Sequence, residues 1–357
     1  MELLTAAAIR VSAILFTTLP PPICRKQLLR RFDRGASAIK VGEVVINMSR
    51  IVSLIPSATE IVCALGLEQD LVGRSHECDY PPSVSALPAL TQPKFSLDGS
   101  SRQLDERVRA VLENALSVYR VDTERLRLLR PDAVVTQSQC QVCAVSLEEV
   151  EQALAQWLDG PRPRVVSLEA RSLAGVLADI ERTAAALGVS DAGTRLTAQM
   201  RERIEQIAQR AGRSPAWPTF VSIEWIDPLI AGGNWMPEIA ALAGGRDLLG
   251  KPGSHSPTIE MAQLQAADPE IILIVPCGFD MARTERELGG WLRRADWSEL
   301  SAVRNGRLYI ADGNQYFNRP GPRLVESLEI LAEILHPEIF SFGHQGKAWR
   351  RYQAPGG

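Results

Sequence analysis

Two cysteines in the stretch TQSQCQVCAVS, Cys140 and Cys143, form a C-x-x-C pair just after an apolar run. This is the spacing of zinc ligands, but a structural zinc site usually takes its other two ligands from a second matched pair. A thioredoxin-type redox motif would open a helix directly after its strand, and the residues flanking this pair differ. The pair is therefore compatible with metal ligation, a redox function, a disulfide or the packing of a turn.

Further thiol and imidazole groups lie in segments far apart in the chain. SHECDYPP supplies His76 and Cys78, the apolar run IILIVP ends at Cys277, and GSHSP supplies His255. Thiolates select soft metals, and imidazole suits iron, copper and zinc. The candidate metal ligands are His76, Cys78, Cys140, Cys143 and Cys277. We assign His255 to ligand binding rather than to this set, because it lies in a loop with no regular pattern.

Aromatic and basic residues gather in three further loops. VSIEW ends at Trp225, and AGGNW contains Trp235. NQYFNRPGPR contains Tyr316, Phe317, Arg319 and Arg323. Aromatic faces suit a large flat or hydrophobic ligand that a few polar groups orient. The candidate ligand contacts are Trp225, Trp235, His255, Tyr316, Phe317, Arg319 and Arg323.

The elements that must position these groups are short β-branched runs that alternate with helical periods. The predicted strands span residues 50–55, 70–75, 132–137, 164–169, 219–225, 270–276 and 307–312. This alternation predicts parallel sheets with helices on both faces. Ligands of such sheets bind outside the carboxyl ends of the strands. Since most of the candidate residues follow a strand, we expect them to line one cleft.

A helical stretch over residues 172–210 divides the pattern into two α/β halves. In each half a helix runs through proline and an acidic residue, Pro131-Asp132 or Pro269-Glu270, into a strand that ends near a cysteine. Proline at this junction ends the helix, because its ring disfavours helical geometry in the preceding residue. We predict an N-terminal lobe over 48–168, a connecting helical span over 169–212, a C-terminal lobe over 213–345 and a tail over 346–357.

Residues 1–47 precede the first regular pattern and are expected to lie outside the fold. The apolar centre of residues 1–24 is interrupted by Arg10 and is too short to span a bilayer. Its basic cluster RKQLLRR follows the apolar part, whereas a secretory signal carries its positive charge before it. A misplaced start codon is the preferred explanation and a degenerate export signal the alternative. A cytoplasmic location is therefore slightly favoured over a periplasmic one.

Composition excludes several classes of function. A net charge of −3 supplies no basic field for nucleic acid or an anionic membrane. Six cysteines in 357 residues are too few for a disulfide scaffold. The sequence also contains no Walker loop, dinucleotide fingerprint or nucleophile elbow. We expect a soluble monomer that binds a small molecule and does not span a membrane.

Several segments together resemble the iron-siderophore and cobalamin class of ABC-transporter substrate-binding proteins. They are RIVSLIPSATEIVCALGLEQDLVG, ERLRLLRPDAVVTQ, GGNWMPEIAALAGG, ADPEIILIVPCGFD and RLYIADGNQYFNRPGPRLVESLEILAEILHPE. The likeness runs from about Met48 to about His344. Its cysteine-bearing segments are similar to a cobalamin-binding-protein-like branch.

The resemblance implies two α/β lobes joined by a long helix, with a ligand groove between them. It implies no enzymatic activity and no required cofactor, but a bound corrinoid, iron chelate or thiolate-ligated metal. An ABC permease is the implied partner. In this class a surface glutamate on each lobe meets permease arginines, which points to Glu124 and to Glu260 here, although Glu260 lies farther from its proline than Glu124 does.

Two functions remain open from the sequence. The first is non-catalytic binding of a corrinoid or iron chelate for ABC-type uptake or intracellular handling. The second is a thiol- or metal-dependent reductase acting on such a ligand, in which Cys140 and Cys143 would cycle between thiol and disulfide. Loss of turnover on replacing either cysteine would distinguish the enzyme from the carrier.

Overall fold

The computed structural model describes residues 38–41, 44–47, 49–113, 117–138, 147–155, 162–292 and 296–352 of the chain. Met1–Met48 forms a unit of its own, in which β1 (Ala38–Val41) and β2 (Val44–Asn47) pair antiparallel. Ser49–Gly357 forms a second compact unit, which holds both lobes and the helices that connect them.

The N-terminal lobe is built on parallel strands. Its elements in chain order are β3 (Ile51–Ser53), α1 (Pro56–Ala64), β4 (Leu71–Arg74), β5 (Thr91–Pro93), α2 (Ser101–Leu112), β6 (Tyr119–Val121), α3 (Thr123–Leu129), β7 (Ala133–Gln137), α4 (Leu147–Ala155) and β8 (Arg164–Leu168). The main sheet has the order β4-β3-β7-β8, and each of its neighbouring pairs is parallel. The four strands predicted for this lobe are confirmed.

Helix α1 does not begin at the capping box that the spacing of Ser57 and Glu60 would allow. Ser57 and Glu60 have the spacing of a capping box, but the helix already begins at Pro56 and its N-cap, Ile55, makes no side-chain cap. Proline is well suited to the first turn, where its absent N–H is not needed. Both residues therefore lie inside the helix, and the Glu60 side chain does not cap it. Gly66, with φ +83°, stands just past the helix end as expected.

An antiparallel ribbon of β5 and β6 stands beside the main sheet. Between these two strands the chain makes an excursion through α2, whose N-cap Ser100 and third residue Gln103 form a capping box. The ribbon and this helix were not predicted from the sequence.

Two helices connect the lobes, α5 (Leu173–Ala186) and α6 (Ser190–Ala211). Gly188, with φ +76°, lies in the turn between them, where glycine adopts the left-handed conformation without strain. The helices pack closely at Gly193, where an added Cβ would come within 2.4 Å of the Ala184 Cβ.

The C-terminal lobe repeats the parallel architecture. Its elements are β9 (Thr219–Trp225), β10 (Ile230–Ala231), α7 (Met236–Leu242), β11 (Arg246–Asp247), α8 (Met261–Ala267), β12 (Ile271–Ile274), α9 (Met281–Trp291), α10 (Ser301–Arg304), β13 (Leu308–Ala311), α11 (Leu324–Leu335) and β14 (Trp349–Arg351). The order is β10-β9-β12-β13-β14, with β11 also paired to β9. Strand β14 lies within the predicted tail and pairs antiparallel with β13, so part of the tail belongs to this lobe.

One hydrophobic cluster runs through both lobes and their connection. It joins Ile61 of α1, Ile180 of α5, Ile207 of α6 and Leu328 of α11, all at most 1% exposed. Separate clusters cover the outer faces of the C-terminal and N-terminal sheets. A close-packed protein interior does not rearrange easily. This shared core therefore fixes the two lobes relative to each other. The predicted fold of two parallel-rich α/β lobes with a helical connection is confirmed, but two helices rather than one long helix form the connection.

Candidate ligand-binding groove

Loops at the carboxyl ends of parallel strands from both lobes meet between the lobes. Residues 75–80 follow β4, and residues 312–323 follow β13. Side chains of these two loops hydrogen-bond to each other, as Asn314 Nδ2 and Gln315 Nε2 donate to Asp79 Oδ2 over 2.9 and 2.8 Å. The sequence-based expectation that the two halves face each other here therefore agrees with the structure.

A buried carboxylate is the centre of this contact. Glu60 is 4% exposed and projects from α1 of the N-terminal lobe toward two arginines of the C-terminal lobe. Its Oε1 accepts from Arg319 Nη1 at 3.0 Å and from Arg323 Nη2 at 2.6 Å, while its Oε2 accepts from Arg323 Nε at 3.0 Å. The bidentate geometry with Arg323 is the strongest form of such a pair.

Asp79 completes the cluster from the same lobe as Glu60. Its Oδ1 accepts from Arg319 Nη1 at 2.7 Å. Partial burial acts to raise the pKa of Asp79, but the hydrogen bond and charge of Arg319 and the Asn314 amide outweigh it, so the pKa lies below its usual value. The carboxylate form is thus the one that this cluster stabilises.

Both arginines had been predicted to contact the ligand, and the structure gives them a different role. Arg319 and Arg323 are only 6% and 7% exposed. Their remaining donors reach the side-chain oxygens of Asn314 and Gln315. The Arg323 guanidinium also lies 3.8 Å from the ring centroid of Tyr80. In this structure the acidic and amide groups that the arginines meet are therefore those of the protein itself.

Two of the predicted aromatic contacts also lie in the interior. Trp235 is 4% exposed and Phe317 is 1% exposed. The Trp235 indole N–H donates to the Phe317 carbonyl oxygen at 2.7 Å. A buried tryptophan needs such a partner, so this bond accounts for both positions structurally. The prediction that these two rings face a ligand is not supported by their position.

The C-terminal wall of the groove is formed by residues that follow β9 and β12. Trp225 is partly exposed, and its ring meets Phe279 edge-on at a centroid distance of 5.3 Å. Cys277 and His255 are exposed, and His255 Nδ1 lies 3.1 Å from the Ser256 carbonyl oxygen. Tyr316, partly exposed, has its ring centroid 5.2 Å from the Arg323 guanidinium. These four predicted residues keep surface that a ligand could reach.

The N-terminal wall carries His76 and Glu77, which the β5–β6 ribbon supports. His76 Nδ1 lies 2.7 Å from Thr91 Oγ1, and the Tyr119 hydroxyl donates to Glu77 Oε1 at 2.8 Å. Burial, together with the positive charge of Arg74, lowers the pKa of His76 to about 4. Its imidazole is therefore neutral at neutral pH. Its Nε2 is buried and finds no hydrogen-bond partner within the described part of the chain.

Cys78 is unsuited to metal ligation in this structure. Its side chain is 1% exposed and accepts a hydrogen bond from Thr59 Oγ1 at 2.9 Å. Burial raises the pKa of the Cys78 thiol to about 12, whereas a metal ligand must be a thiolate. Within the described ranges, no three His, Cys, Asp or Glu side chains converge as a metal site. Cys140 and Cys143 lie outside the described residues.

Glu224 was not singled out from the sequence, yet it lies at the groove end of β9. Burial raises its pKa to about 7, against hydrogen bonds from Ser256 and the Gly233 amide that favour the carboxylate. The Ser256 hydroxyl donates to its Oε2 at 2.5 Å. A Cβ at Gly233 would lie 2.4 Å from the Ser256 backbone nitrogen. The glycines of AGGNW therefore serve close packing around this carboxyl.

The two glutamates assigned to permease docking occupy different positions on equivalent helices. Helices α3 and α8 have seven residues each, and each ends at a left-handed residue, Arg130 or Asp268, just before its proline. Glu124 is the second residue of α3, whereas Glu260 is the N-cap of α8. This offset explains why Glu260 lies farther from its proline than Glu124 does. Both glutamates are exposed.

Cavities elsewhere in the molecule do not compete with the groove. One of about 490 Å³ is lined by Trp217 and Arg246 among others, and one of about 560 Å³ by Asp132 and Arg164 among others. Both open at the amino ends of the sheets. Ligand sites of parallel sheets lie at the opposite, carboxyl ends.

The fold and the inter-lobe groove define a two-lobe substrate-binding protein. Residues 51–314 match the model of a family described as periplasmic binding protein. Because this match covers most of the chain, the protein belongs to that family. The prediction of the protein class from the sequence is confirmed.

Individual relatives are distant but cover the chain well. A vitamin B12-binding protein of Vibrio cholerae is 22% identical over 299 residues, 80% of this chain and 88% of its own. An uncharacterized ABC transporter substrate-binding lipoprotein of Bacillus subtilis is 24% identical over 297 residues, with 82% and 81% covered. The structure of a periplasmic heme-binding protein from Pseudomonas aeruginosa superposes with a TM-score of 0.64 at 21% identity, covering 86% of this chain and 99% of that one.

These relatives confirm one functional prediction and overturn another. Each of the three is a substrate-binding protein, as was predicted for this chain. The cytoplasmic location favoured from the sequence is wrong, because the family is periplasmic and the Bacillus relative is a lipoprotein. The charge pattern of the N-terminal residues was a poor guide to location. In the described part of the chain, no helix has the length and apolar character needed to cross a membrane.

The role of Glu60 predicts a large loss of stability on its truncation. Glu60→Ala leaves two buried guanidinium groups without their carboxylate, and such loss of one partner costs about 3–5 kcal/mol. Urea unfolding monitored by tryptophan fluorescence measures the change. Arg201→Ala is the matched control, because its pair with Glu181 is exposed by 54% and 43%. That control is expected to cost at most about 1 kcal/mol. Equal effects of both substitutions would contradict a central role for Glu60.

The raised pKa of Glu224 predicts a pH dependence with a definite sign. The folded protein holds a proton on this carboxyl up to about pH 7, whereas the unfolded chain releases it near its usual pKa of 4.5. Stability is therefore lost as pH rises between these values. Glu224→Gln should remove this loss, giving a gain relative to the parent on the order of 3 kcal/mol at pH 8 and little at pH 4. Urea unfolding at both pH values measures it, and an equal difference at both would refute the assignment.

Proposed function

We propose that this protein binds a large metal chelate, either a corrinoid or an iron chelate such as heme, in the inter-lobe groove and delivers it to an ABC permease. The relatives named as vitamin B12-binding and heme-binding proteins support this class of cargo. The observation that carries the proposal is Trp225, a partly exposed residue at the carboxyl end of β9 whose ring stands edge-on against Phe279. An anchored, partly exposed aromatic ring is a surface on which a flat ligand can stack.

Groups that could ligate the metal of the cargo come from both walls. His76 is held neutral by burial, and neutral imidazole is the ligating form. His255 and Cys277 are exposed on the C-terminal side. Cys140 and Cys143 remain predicted ligands that follow β7 in sequence. The metal of the cargo would thus meet imidazole or thiolate, which suit cobalt and iron.

We further propose that binding takes place without catalysis. The relatives named above are solute-binding proteins. The described groove residues make hydrogen bonds and ion pairs that hold the lobes together rather than an arrangement of a nucleophile with a base. A carrier should therefore still bind hydroxocobalamin or hemin when Cys140→Ser and Cys143→Ser are combined, and neither the parent nor this variant should show turnover of either compound.

Trp225 provides the test of the binding site. Trp225→Ala should weaken binding of hydroxocobalamin or hemin about 10- to 100-fold, because central aromatic anchors dominate binding energy. Titration of the full chain by intrinsic fluorescence or calorimetry measures the dissociation constants. Trp217→Ala is the matched control, since this tryptophan is 50% exposed and lies at the opposite, amino end of β9. The proposal fails if neither compound binds, or if both substitutions have the same effect.

Glu124 and Glu260 provide the test of permease docking. Charge reversal, Glu124→Arg or Glu260→Arg, should reduce uptake of labelled cobalamin or hemin by the native host severalfold, because like charges across an interface oppose association. Affinity of the purified protein for the same compound should not change, since both side chains lie on exposed helix starts. Glu202→Arg, on the exposed face of α6, serves as the control. Unchanged uptake in both docking variants would exclude this surface.

A further inference from the structure

Residues 94–112, here called the strap, reach from the N-terminal lobe to the C-terminal lobe. The strap leaves the lobe at the end of β5, and the chain returns to it at β6, the antiparallel partner of β5. It consists of the segment 94–100 and of helix α2. Both of its ends are thus tied to one lobe, while its middle is free to contact the other.

An ion pair joins the first turn of α2 to the loop after β9. Arg102 donates from Nε to Asp227 Oδ2 at 2.9 Å and from Nη2 to Asp227 Oδ1 at 3.1 Å. The pair is bidentate, which gives it a defined geometry. Arg102 is 58% exposed and Asp227 15% exposed, so this contact lies at the surface.

Helix α9 of the C-terminal lobe holds the strap at two more points. Glu287 Oε1 accepts from the Ser101 backbone N–H at 2.9 Å and from its hydroxyl at 2.6 Å. Arg283 Nη2 donates to the Leu97 carbonyl oxygen at 3.0 Å. Side chains of the C-terminal lobe therefore hydrogen-bond to both backbone and side-chain atoms of the strap.

The residues that fasten the strap are next to the proposed binding surface. The Arg283 guanidinium lies 3.9 Å from the ring centroid of Phe279. The same phenylalanine supports Trp225 at 5.3 Å, and Asp227 is two residues beyond that tryptophan. On the other side, the ribbon that carries the strap holds His76 and Glu77. The strap thus connects the two walls of the groove.

The two inter-lobe contacts differ in strength. The pairs of Glu60 with Arg319 and Arg323 are buried, with at most 8% of any side chain exposed. The pair of the strap is exposed, and exposed pairs are weak and screened by salt. Opening of the structure at the strap breaks this surface pair and the hydrogen bonds of Glu287 and Arg283 to Ser101 and Leu97, but no buried ion pair, so it costs less than separation of the lobes at Glu60.

From this difference we infer that the strap is a latch over the groove, and that cargo leaves by release of the strap rather than by separation of the lobes. The inference rests on the proposed function in one respect, namely that the cargo lies in this groove. Release of the strap would free the C-terminal wall at Asp227 and Glu287 while the Glu60 cluster keeps the lobes in place.

The first experiment needs no ligand. Hydrogen exchange of the full chain is compared for the parent, Arg102→Ala, Glu287→Ala and the double variant. Exchange at the backbone amides of residues 97–103 should rise about two- to fivefold in each single variant, as expected for an exposed pair, and more in the double variant. Arg109→Ala is the matched control, because its ion pair with Asp105 lies within α2 itself. Unchanged exchange in the double variant overturns the latch.

The second experiment measures release of hydroxocobalamin and of hemin by stopped flow. The double variant should release a bound compound severalfold faster. Salt should accelerate release from the parent by screening the Arg102–Asp227 pair, and this acceleration should be smaller in the double variant. Equal release rates in parent and double variant overturn the inference while leaving the proposed function intact. If neither compound binds the parent, the proposed cargo is wrong, and the exchange experiment alone decides whether the strap opens independently of the lobes.

Discussion

The placement of one carboxylate, that of Glu60, governs the relation between the two lobes. It is 4% exposed and is held by Arg319 and Arg323 from the opposite lobe. A buried charge is tolerated only when its partners satisfy it with good geometry, and removal of any partner leaves the others desolvated and unpaired. Since the partners stand on different lobes, one relative orientation of the lobes satisfies the whole cluster. The groove has its shape because this orientation is fixed.

The helices that carry the cluster residues are packed in the core that both lobes share. Glu60 projects from α1, and Arg323 is the N-cap of α11, a helix whose residues are mostly buried. Both helices contribute to the hydrophobic cluster that also includes the connecting helices. Large hinge motion would have to break a continuous packed core as well as the ion pairs. Recognition in such a protein therefore depends on a preformed groove, and the strap, which no buried ion pair holds to the C-terminal lobe among its described contacts, is the part that we propose to move.

The general plan could be predicted from the sequence because it depends on local periodicity. The seven strands and the convergence of loops followed from strand patterns and the carboxyl-end rule. The partners of the charged residues could not, because Glu60 and Arg319 are 259 positions apart and nothing local marks them as a pair. Arginines in a loop beside aromatic residues have the pattern of ligand contacts whether the acidic group belongs to a ligand or to the other lobe. Trp235 was predicted to contact the ligand for a similar reason. Its partner is the backbone carbonyl of Phe317, which no sequence pattern identifies.

The electrostatics of the groove indicate how cargo is selected. Its stronger charges are satisfied within the protein, as in Arg319 with Asp79 and Arg102 with Asp227. Burial keeps His76 neutral, raises the pKa of Glu77 to about 6 and raises that of Glu224 to about 7. Because burial disfavours the charged form of each of these groups, they offer less charge to a highly charged ligand than exposed groups would. Contact with aromatic faces and ligation of a metal centre depend much less on charge, so the proposed function would be best served by a large chelate of low net charge.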